Sequence, residues 1–417
     1  MLGSIADDVT GAVDLASNLV SRGFRTRVHF GVPASPLDSS DTDAFVIALT
    51  TRTATVARAL ADSAASLDAL RAAGAERFYV KYCSTFDSTP RGNIGPICDL
   101  AAERTGSAIT VIVPSFPANG RTVYRGHLFV DDVPLSESSM ARHPLTPMTD
   151  SNIVRVMQQQ TDQPVALLPL PTVRSGADAV STALATLSAR GVRYAVVDAV
   201  DDGDLAVIAA ATAGAPLVTG GSGLALGLSG PAPRAAMPAP EEVRQGPRVV
   251  LVGSASEMTR RQLQRAADAG LPVVRLDVSA LESSSEAALE VVSAISVADS
   301  DALVVIAPAD SPDGVDGTTP EGKARATALE RTFGALARRL VDEGVRRFLV
   351  AGGETSGAVA EALGVADLVL GETIDPGVAW TFARAVTVEG DVPLALALKS
   401  GNFGGRDFFL DAWRRLL

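Results

Sequence analysis

Two adjacent carboxylates are the first residues whose types and spacing could do chemistry. In Ile5-Ala6-Asp7-Asp8-Val9-Thr10-Gly11-Ala12 a short apolar run ends in Asp7 and Asp8, and a Thr-Gly pair leads into a helical pattern. Such a pair can accept hydrogen bonds from sugar hydroxyls or take a hydroxyl proton as a general base. One Asp could equally cap the helix while the other is solvated, and position alone leaves both readings open. A second block, Lys81-Tyr82-Cys83-Ser84-Thr85-Phe86-Asp87-Ser88-Thr89-Pro90-Arg91-Gly92-Asn93, also follows an apolar run. Lys81, Ser84, Asp87 and Arg91 are the inventory for clamping a small anionic polyol, with Arg offering the better fork for a carboxylate or phosphate. A polar loop of turn formers is the bland alternative.

Asn119, Arg121, Arg125 and His127 lie in Pro114–His127, and His143 opens a further stretch running to Met148. This long region without periodicity is expected to be a loop of the kind that often forms functional lids, although a lone His is commonly structural. Thr219-Gly220-Gly221-Ser222-Gly223-Leu224 would let a backbone approach a ligand or a packed domain. Three later blocks place Gly and Ser where turns and helix starts expose N–H groups that cradle phosphate: Gly253–Ser256, Ala351–Gly357 and Lys399–Gly405. Neither a P-loop nor a Gly-x-Gly-x-x-Gly fingerprint occurs in the chain.

The elements that must position these residues are read from apolar runs and helical periods. Strands are expected near residues 2–6, 25–30, 44–49, 77–81, 109–113 and 194–197, with helices near 12–21, 55–74 and 177–191. This alternation predicts parallel-rich α/β units. Residues 230–247 hold five prolines and little period, and read as an extended Pro/Ala-rich connector. The pattern then restarts, with strands near 248–252, 273–277, 302–307 and 347–351, and helices near 256–269, 284–297, 322–343 and 355–363. An antiparallel section is expected over 379–400. The expected architecture is two α/β domains with parallel-rich sheets, residues 1–229 for substrate and 248–417 for nucleotide, with the active site in an interdomain cleft.

At 417 residues, 47% hydrophobic and 20% charged, the chain can bury two ordinary cores, which excludes disorder, collagen and coiled coil. Its net charge of −12 has the wrong sign for a partner of nucleic acid. Two cysteines, Cys83 and Cys98, fit neither a disulfide framework nor a zinc spacing, and point to a reducing cytoplasm. No secretory pattern opens the chain, and the apolar runs are far short of the roughly 20 residues a membrane span needs, so no membrane role is expected. A homodimer is the expected oligomer only as the commonest form.

Taken in order, these blocks resemble the four-carbon acid sugar kinase family over nearly the whole chain. The resemblance is carried by Ala6–Ala12, Lys81–Gly95, Asn119–Thr122, Gly253–Ser256, Gly352–Gly357 and Ser400–Gly404. It implies an N-terminal domain that binds a sugar acid, a C-terminal domain that binds ATP, and Mg²⁺ as the accompanying ion. Asp7 or Asp8 would be the catalytic carboxylate, and Lys81, Ser84, Asp87, Arg91, Asn119, Arg121 and His127 would hold the acid. Ser256, Gly352, Gly353, Glu354, Thr355, Ser356 and Gly401 would surround ATP, while metal ligands stay unassigned. Val9 departs from the family's usual Phe beside the carboxylates. Residues 143–152 look most like the members that phosphorylate the terminal hydroxyl of 3-oxo-tetronate, and kinases of threonate and erythronate share the framework. A non-catalytic sugar-acid receptor is the reading from another class.

Overall fold

The computed structural model of the chain describes residues 1–142, 146–231, 238–276, 303–308, 320–388 and 390–416. The expected helix at 284–297 lies outside them, as do Asp277 and His143, Pro144 and Leu145. The chain divides into two compact units, Met1–Arg234 and Ala235–Leu417.

In the first unit eight strands run parallel. They are β1 (Leu2–Ala6), β2 (Thr26–Phe30), β3 (Ala44–Ala48), β4 (Arg77–Lys81), β5 (Thr110–Val113), β9 (Val165–Leu168), β10 (Tyr194–Val197) and β11 (Leu217–Gly220). Their order is β2-β3-β1-β4-β11-β5-β10-β9. β1 and β3 are buried along their whole length, as a strand covered on both faces must be, and so read as nearly unbroken apolar runs. Helices α1 (Val9–Ser21), α2 (Val56–Ala72) and α3 (Ile94–Thr105) follow β1, β3 and β4. The helix α2 presents Ala59, Ser63, Leu67 and Leu70 on one buried stripe, and Leu67 and Leu70 join Phe45, Ile47, Tyr82 and Phe86 in the core. Strand β1 sends its connection through α1 toward β2, whereas its neighbour β4 sends its own through α3 toward β5 on the other side. Adjacent strands whose connections diverge leave a crevice at their carboxyl ends, and that is where ligands bind in such sheets.

The expected non-periodic lid is instead partly a small antiparallel sheet of β6 (Arg121–Tyr124), β7 (His127–Val130) and β8 (Val133–Pro134). Its hairpin turns on Arg125 and Gly126, whose positive φ values of 51° and 74° suit a tight two-residue loop. Val123 and Leu128, wholly buried, point the sheet inward. Among the described residues four further helices follow in this unit: α4 (Ile153–Gln158), α5 (Leu170–Arg174), α6 (Ala177–Ala189) and α7 (Asp202–Ala211).

The second unit repeats the scheme. β12 (Arg248–Val252), β13 (Val273–Leu276), β14 (Leu303–Pro308), β15 (Arg347–Ala351) and β18 (Gly390–Lys399) run parallel in the order β13-β14-β12-β15-β18. β17 (Val378–Thr387) and β16 (Asp367–Asp375) follow antiparallel, so this section begins earlier than its sequence suggests. Helix α8 (Glu257–Asp268) carries β12 toward β13, α9 (Pro320–Asp342) precedes β15, and α10 (Gly353–Ala362) carries β15 toward β16 on the opposite side. β12 and β15 therefore form a second point of divergence. The short α11 (Phe408–Asp411) leads to Trp413, whose ring lies 5.2 Å from that of the buried Trp380. Ahead of β12, the Pro-rich segment makes one 3-10 turn at Glu241–Val243 and buries Ala239 and Val243 in this core.

Candidate active site

Ala6 ends β1 in register with Lys81, the last residue of β4, so Asp7 and Asp8 leave the sheet beside the Lys81 side chain. The Asp7 N–H donates to the Lys81 carbonyl at 3.2 Å. Its own carbonyl accepts from the N–H groups of Thr51 (3.1 Å) and Arg52 (3.2 Å), just beyond β3. Backbone bonds alone thus tie three strand ends together. Asp8, extended at φ −150° and ψ 162°, caps α1: Oδ1 accepts from Gly11 N–H at 3.1 Å, and Oδ2 from Thr10 Oγ1 at 2.9 Å. Asp8 therefore caps the helix while its carboxylate also faces the crevice cations.

Two cations face the carboxylates. Arg52 forks onto Asp7 through Nε to Oδ2 (2.8 Å) and Nη2 to Oδ1 (3.0 Å), and its Nη2 also lies 2.8 Å from Asp8 Oδ1. Lys81 Nζ, on a buried side chain, lies 3.1 Å from Asp8 Oδ1 and 3.4 Å from Asp7 Oδ1. Burial opposes ionisation of Asp8, but Arg52 and Lys81 outweigh it and hold the carboxyl well below the ordinary range. Burial also opposes the charge of Lys81 and Arg52, and the paired carboxylates reverse this, raising both cations. A Cβ at Gly11 would collide with Lys81 Nζ, so a glycine is what lets the ammonium rest on the first turn of α1. Arg52 carries no motif, yet it sits just past a strand like Asp7, and that placement was the available signal.

The other expected residues divide into two groups. Asp87 is buried, accepts from Thr85 Oγ1 at 2.6 Å and lies 4.0 Å from Arg52 Nη1. Beside it burial, and then the Asp87 charge, push the Cys83 thiol up to about 11. Ser84 packs against Gly221. A small pocket behind the carboxylates is lined by Asp7, Arg52, Lys81, Asp87, Ser88 and Asn93, among others. Asn93 Nδ2 holds the carbonyls of Thr51 (2.6 Å) and Ala54 (2.9 Å), while its buried Oδ1 has no partner. Asn119 Nδ2 and Arg121 Nε are likewise buried without a partner. The charge of Arg121 reaches Asp14 on α1, which also feels Lys81 and Asp8. Arg91 and His127 are not brought to the carboxylates. Arg91 is exposed in the turn after Pro90, with only its N–H bonded, to Thr89 Oγ1 at 3.3 Å. The His127 ring fixes the hairpin, Nδ1 donating to the Arg125 carbonyl at 3.0 Å and Nε2 facing Asn152 Nδ2 at 3.5 Å.

At β12 and β15 the residues are of another kind. The N–H groups of Gly253 and Ser254 both donate to the Ala351 carbonyl at 2.9 Å, and Gly352 N–H donates to the Lys399 carbonyl at 3.0 Å, which draws three loops together. Ser256 caps α8, its Oγ accepting from Thr259 N–H at 3.3 Å. Gly352 holds φ at 133° before α10, and Gly353 opens that helix. A Cβ at Gly253 would strike Thr355 Oγ1, and one at Gly401 would strike Ser254 Oγ. Glu354 is exposed on the first turn of α10, whereas Thr355 and Ser356 are buried and Ser356 Oγ has no partner. Two helix N-termini and a set of small residues thus meet at one strand-end crevice, the arrangement that takes phosphate oxygens. Beneath them Lys399 is wholly buried. No helix among the described residues is long and apolar enough to cross a membrane.

Comparison with known proteins agrees with this division. Residues 2–228 match the model of a sugar-binding N-terminal domain, and residues 249–409 that of a nucleotide-binding C-terminal domain. A 3-oxo-tetronate kinase of Pseudomonas fluorescens is 48% identical over 424 residues, covering 100% of this chain and 97% of that protein. One of Cupriavidus necator is 47% identical, with coverage of 100% and 97%. Among solved structures, a Haemophilus influenzae protein superposes with a TM-score of 0.78 at 41% identity, covering 100% of both chains. A Salmonella typhimurium protein described as a tRNA synthase superposes with a TM-score of 0.87 at 39% identity, covering 99% of this chain and 98% of that one. Both domain models and the full-length relatives point the same way as the carboxylate clamp and the glycine-lined crevice: this chain belongs to the four-carbon acid sugar kinase family.

Proposed function

We propose that this chain is an ATP-dependent kinase that transfers a phosphoryl group to the terminal, 4-hydroxyl of 3-oxo-tetronate. The observation that carries the reading is the Asp7–Asp8 pair held by Arg52 and Lys81 at the β1/β4 crevice, in a chain whose second domain matches a nucleotide-binding model. ATP supplies the phosphoryl group, and Mg²⁺ neutralises charge on its phosphates while taking few protein ligands. Lys399, which pairs with no carboxylate among the described residues, and the unpartnered Ser356 Oγ suit an anionic ligand at the second crevice.

Phosphoryl transfer passes through a loose transition state, so positioning and charge stabilisation matter more than a strong base. That suits Asp8, whose acidity makes it a weak base but a firm hydrogen-bond acceptor. Asp7 and Asp8, held ionised by Arg52 and Lys81 before transfer, orient the acceptor hydroxyl, and one of them receives its proton. Asn119 and Arg121 offer buried unpaired donors to the acid's carboxylate, and Asp87, Ser84 and Asn93 offer acceptors to its hydroxyls. Transfer requires the two ligands to meet, with water excluded when they do.

The test is ADP release with ATP and Mg²⁺ against 3-oxo-tetronates, D- and L-threonate, D- and L-erythronate and a blank without acid. Turnover with a 3-oxo acid well above the others is the expected result. Turnover only with threonate or erythronate would overturn the substrate while keeping the kinase, and ATP binding without acid-stimulated release would favour a receptor.

A further inference from the structure

Lys399 ends β18, pairs through the sheet with Ala351 at the end of β15, and is wholly buried. Its Nζ donates to three neutral acceptors: Thr259 Oγ1 at 3.0 Å, the Ser400 carbonyl at 3.0 Å and the Gly401 carbonyl at 2.9 Å. Thr259 Oγ1 accepts from Ser256 Oγ at 3.1 Å and donates to the Gly401 carbonyl at 2.7 Å. The ammonium is thus the centre of a network that pins the Ser400–Gly401 turn to the first turn of α8. All three of its protons are used, yet among the described residues no carboxylate pairs with it.

The charged groups on the elements around it are engaged elsewhere or exposed. On α8, Glu257 pairs with Arg261, and Arg265 with Asp407 of the following loop. Glu354 of α10 is exposed, and Asp375 of β16 accepts from Gly405 N–H at 2.8 Å. Arg347 lies at the far end of β15, with Nη1 on the Arg244 carbonyl at 3.0 Å. A buried cation without an anion is costly, and burial alone pulls the Lys399 ammonium down to about 7. The turn it pins, Ser400–Gly401, lies against Ser254 and Ser256, and the Lys399 backbone carbonyl accepts from Gly352 N–H, so the ammonium sits among the loops that suit phosphate.

We propose that Lys399 is a positioning residue of the nucleotide site whose missing counter-charge is the bound nucleotide's phosphates, so that nucleotide binding at alkaline pH takes up one proton on its side chain. The proposal rests on the reading of the second domain as the nucleotide site. When phosphate charge arrives, the protonated form is favoured, and all three hydrogen bonds hold the turn. Without it, the neutral amine has one donor fewer and the Gly401 turn is held less firmly. The sequence limits the rival sources of such a proton: from Ala235 onward there is no His, Cys or Tyr, and Lys323 is the only other lysine.

Calorimetric titration of the full chain with ADP, in buffers of different ionisation enthalpy, reads the proton count directly. At pH 8.5, above the titration of the nucleotide phosphate, whose ordinary value for such esters is about 6, uptake approaching one proton per ADP is expected. Kd should rise up to about tenfold per pH unit between pH 7.5 and 9.5, as one linked proton requires. Lys399→Arg, a permanent cation, should bind with a flat pH profile and no uptake, and Lys399→Met should bind weakly at every pH. Tight binding by the unaltered chain with no proton uptake overturns the lysine proposal alone. Absence of ADP binding at any pH overturns the nucleotide reading and the proposal with it.

Discussion

The crevices at β1/β4 and at β12/β15 arise from the same topology, in which adjacent parallel strands send their connections apart, but they are furnished oppositely. The first is filled by long charged side chains, Asp7, Asp8, Arg52 and Lys81, locked into mutual ion pairs. The second is lined by Gly253, Gly352 and Gly401, with Ser and Thr hydroxyls and two helix starts; its Glu354 is exposed, and Lys399 lies buried below. A small acid must be oriented atom by atom, which takes directional side chains. A phosphate chain offers many oxygens to any N–H that can approach, which takes small residues and open backbone. On the proposed function one architecture serves two chemistries, and the side chains at the strand ends decide which. Each crevice also hides an ionisable group without full pairing, Asp14 in the first and Lys399 in the second. Burial raises Asp14 to about 6 despite a hydrogen bond from Ser222 Oγ.

Three substitutions test this contrast. The largest effect is expected from Asp8→Asn, which removes the charge that holds Arg52 and Lys81 and orients the hydroxyl. It should lower kcat by about 10²–10⁴ in steady-state assays, leaving ADP affinity unchanged. An ordinary kcat would take the chemistry away from Asp8. Next comes Gly11→Ala, which keeps every charged group but pushes Lys81 Nζ off the first turn of α1. A loss of about 10²-fold in kcat/KM is expected, as for a misplaced catalytic constellation, and a loss below about threefold would show that the clamp tolerates displacement. The smallest effect on turnover is expected from Asp14→Asn, whose signature is stability. The folded chain keeps Asp14 protonated up to about pH 6, above the unfolded value of about 4. It therefore binds more protons than the unfolded chain in that window, and stability falls as pH rises through it. Above pH 6 the whole penalty is present. Asp14→Asn should then gain up to about 3 kcal/mol at pH 7.5, from roughly two pKa units, and nothing at pH 3.5. Urea unfolding of the first unit's transition at both pH values gives the comparison, and an equal gain at both would assign the effect to packing instead.

Much of the fold was legible because buried parallel strands are short unbroken apolar runs, as in Ala44–Ala48 and Arg248–Val252. Elements that bury less or carry a breaker were not. The edge strand β9 is half-exposed along most of its length. The helix α3 has Pro96 in its first turn, where the missing N–H costs nothing, but a proline there also reads as loop. The hairpin of β6 and β7 hid in a region without period because only Val123 and Leu128 face inward and its turn uses Arg125-Gly126. Asp7, Asp8 and Lys81 announced themselves by following apolar runs, and Lys399 was visible within its Gly-rich block though without a role. Arg52 and Thr259 carried no pattern of their own.

By itself the sequence determined which residues stand at strand ends, because hydrophobic burial writes the strands as contiguous runs and their ends as polar breaks. It also determined, through glycines and hydroxyls, which ends carry small residues and open backbone. Which ends become neighbours was decided only by the tertiary structure. β1 lies between β3 and β4, so Asp7, Arg52 and Lys81 meet although they come from positions 45 and 74 residues apart. β18 lies beside β15, so Lys399 comes to rest under the loops that follow β12 and β15. Strand order is a property of long-range packing, in which every parallel strand offers the same hydrogen-bonding edge, and no local run of residues records which edge it will meet.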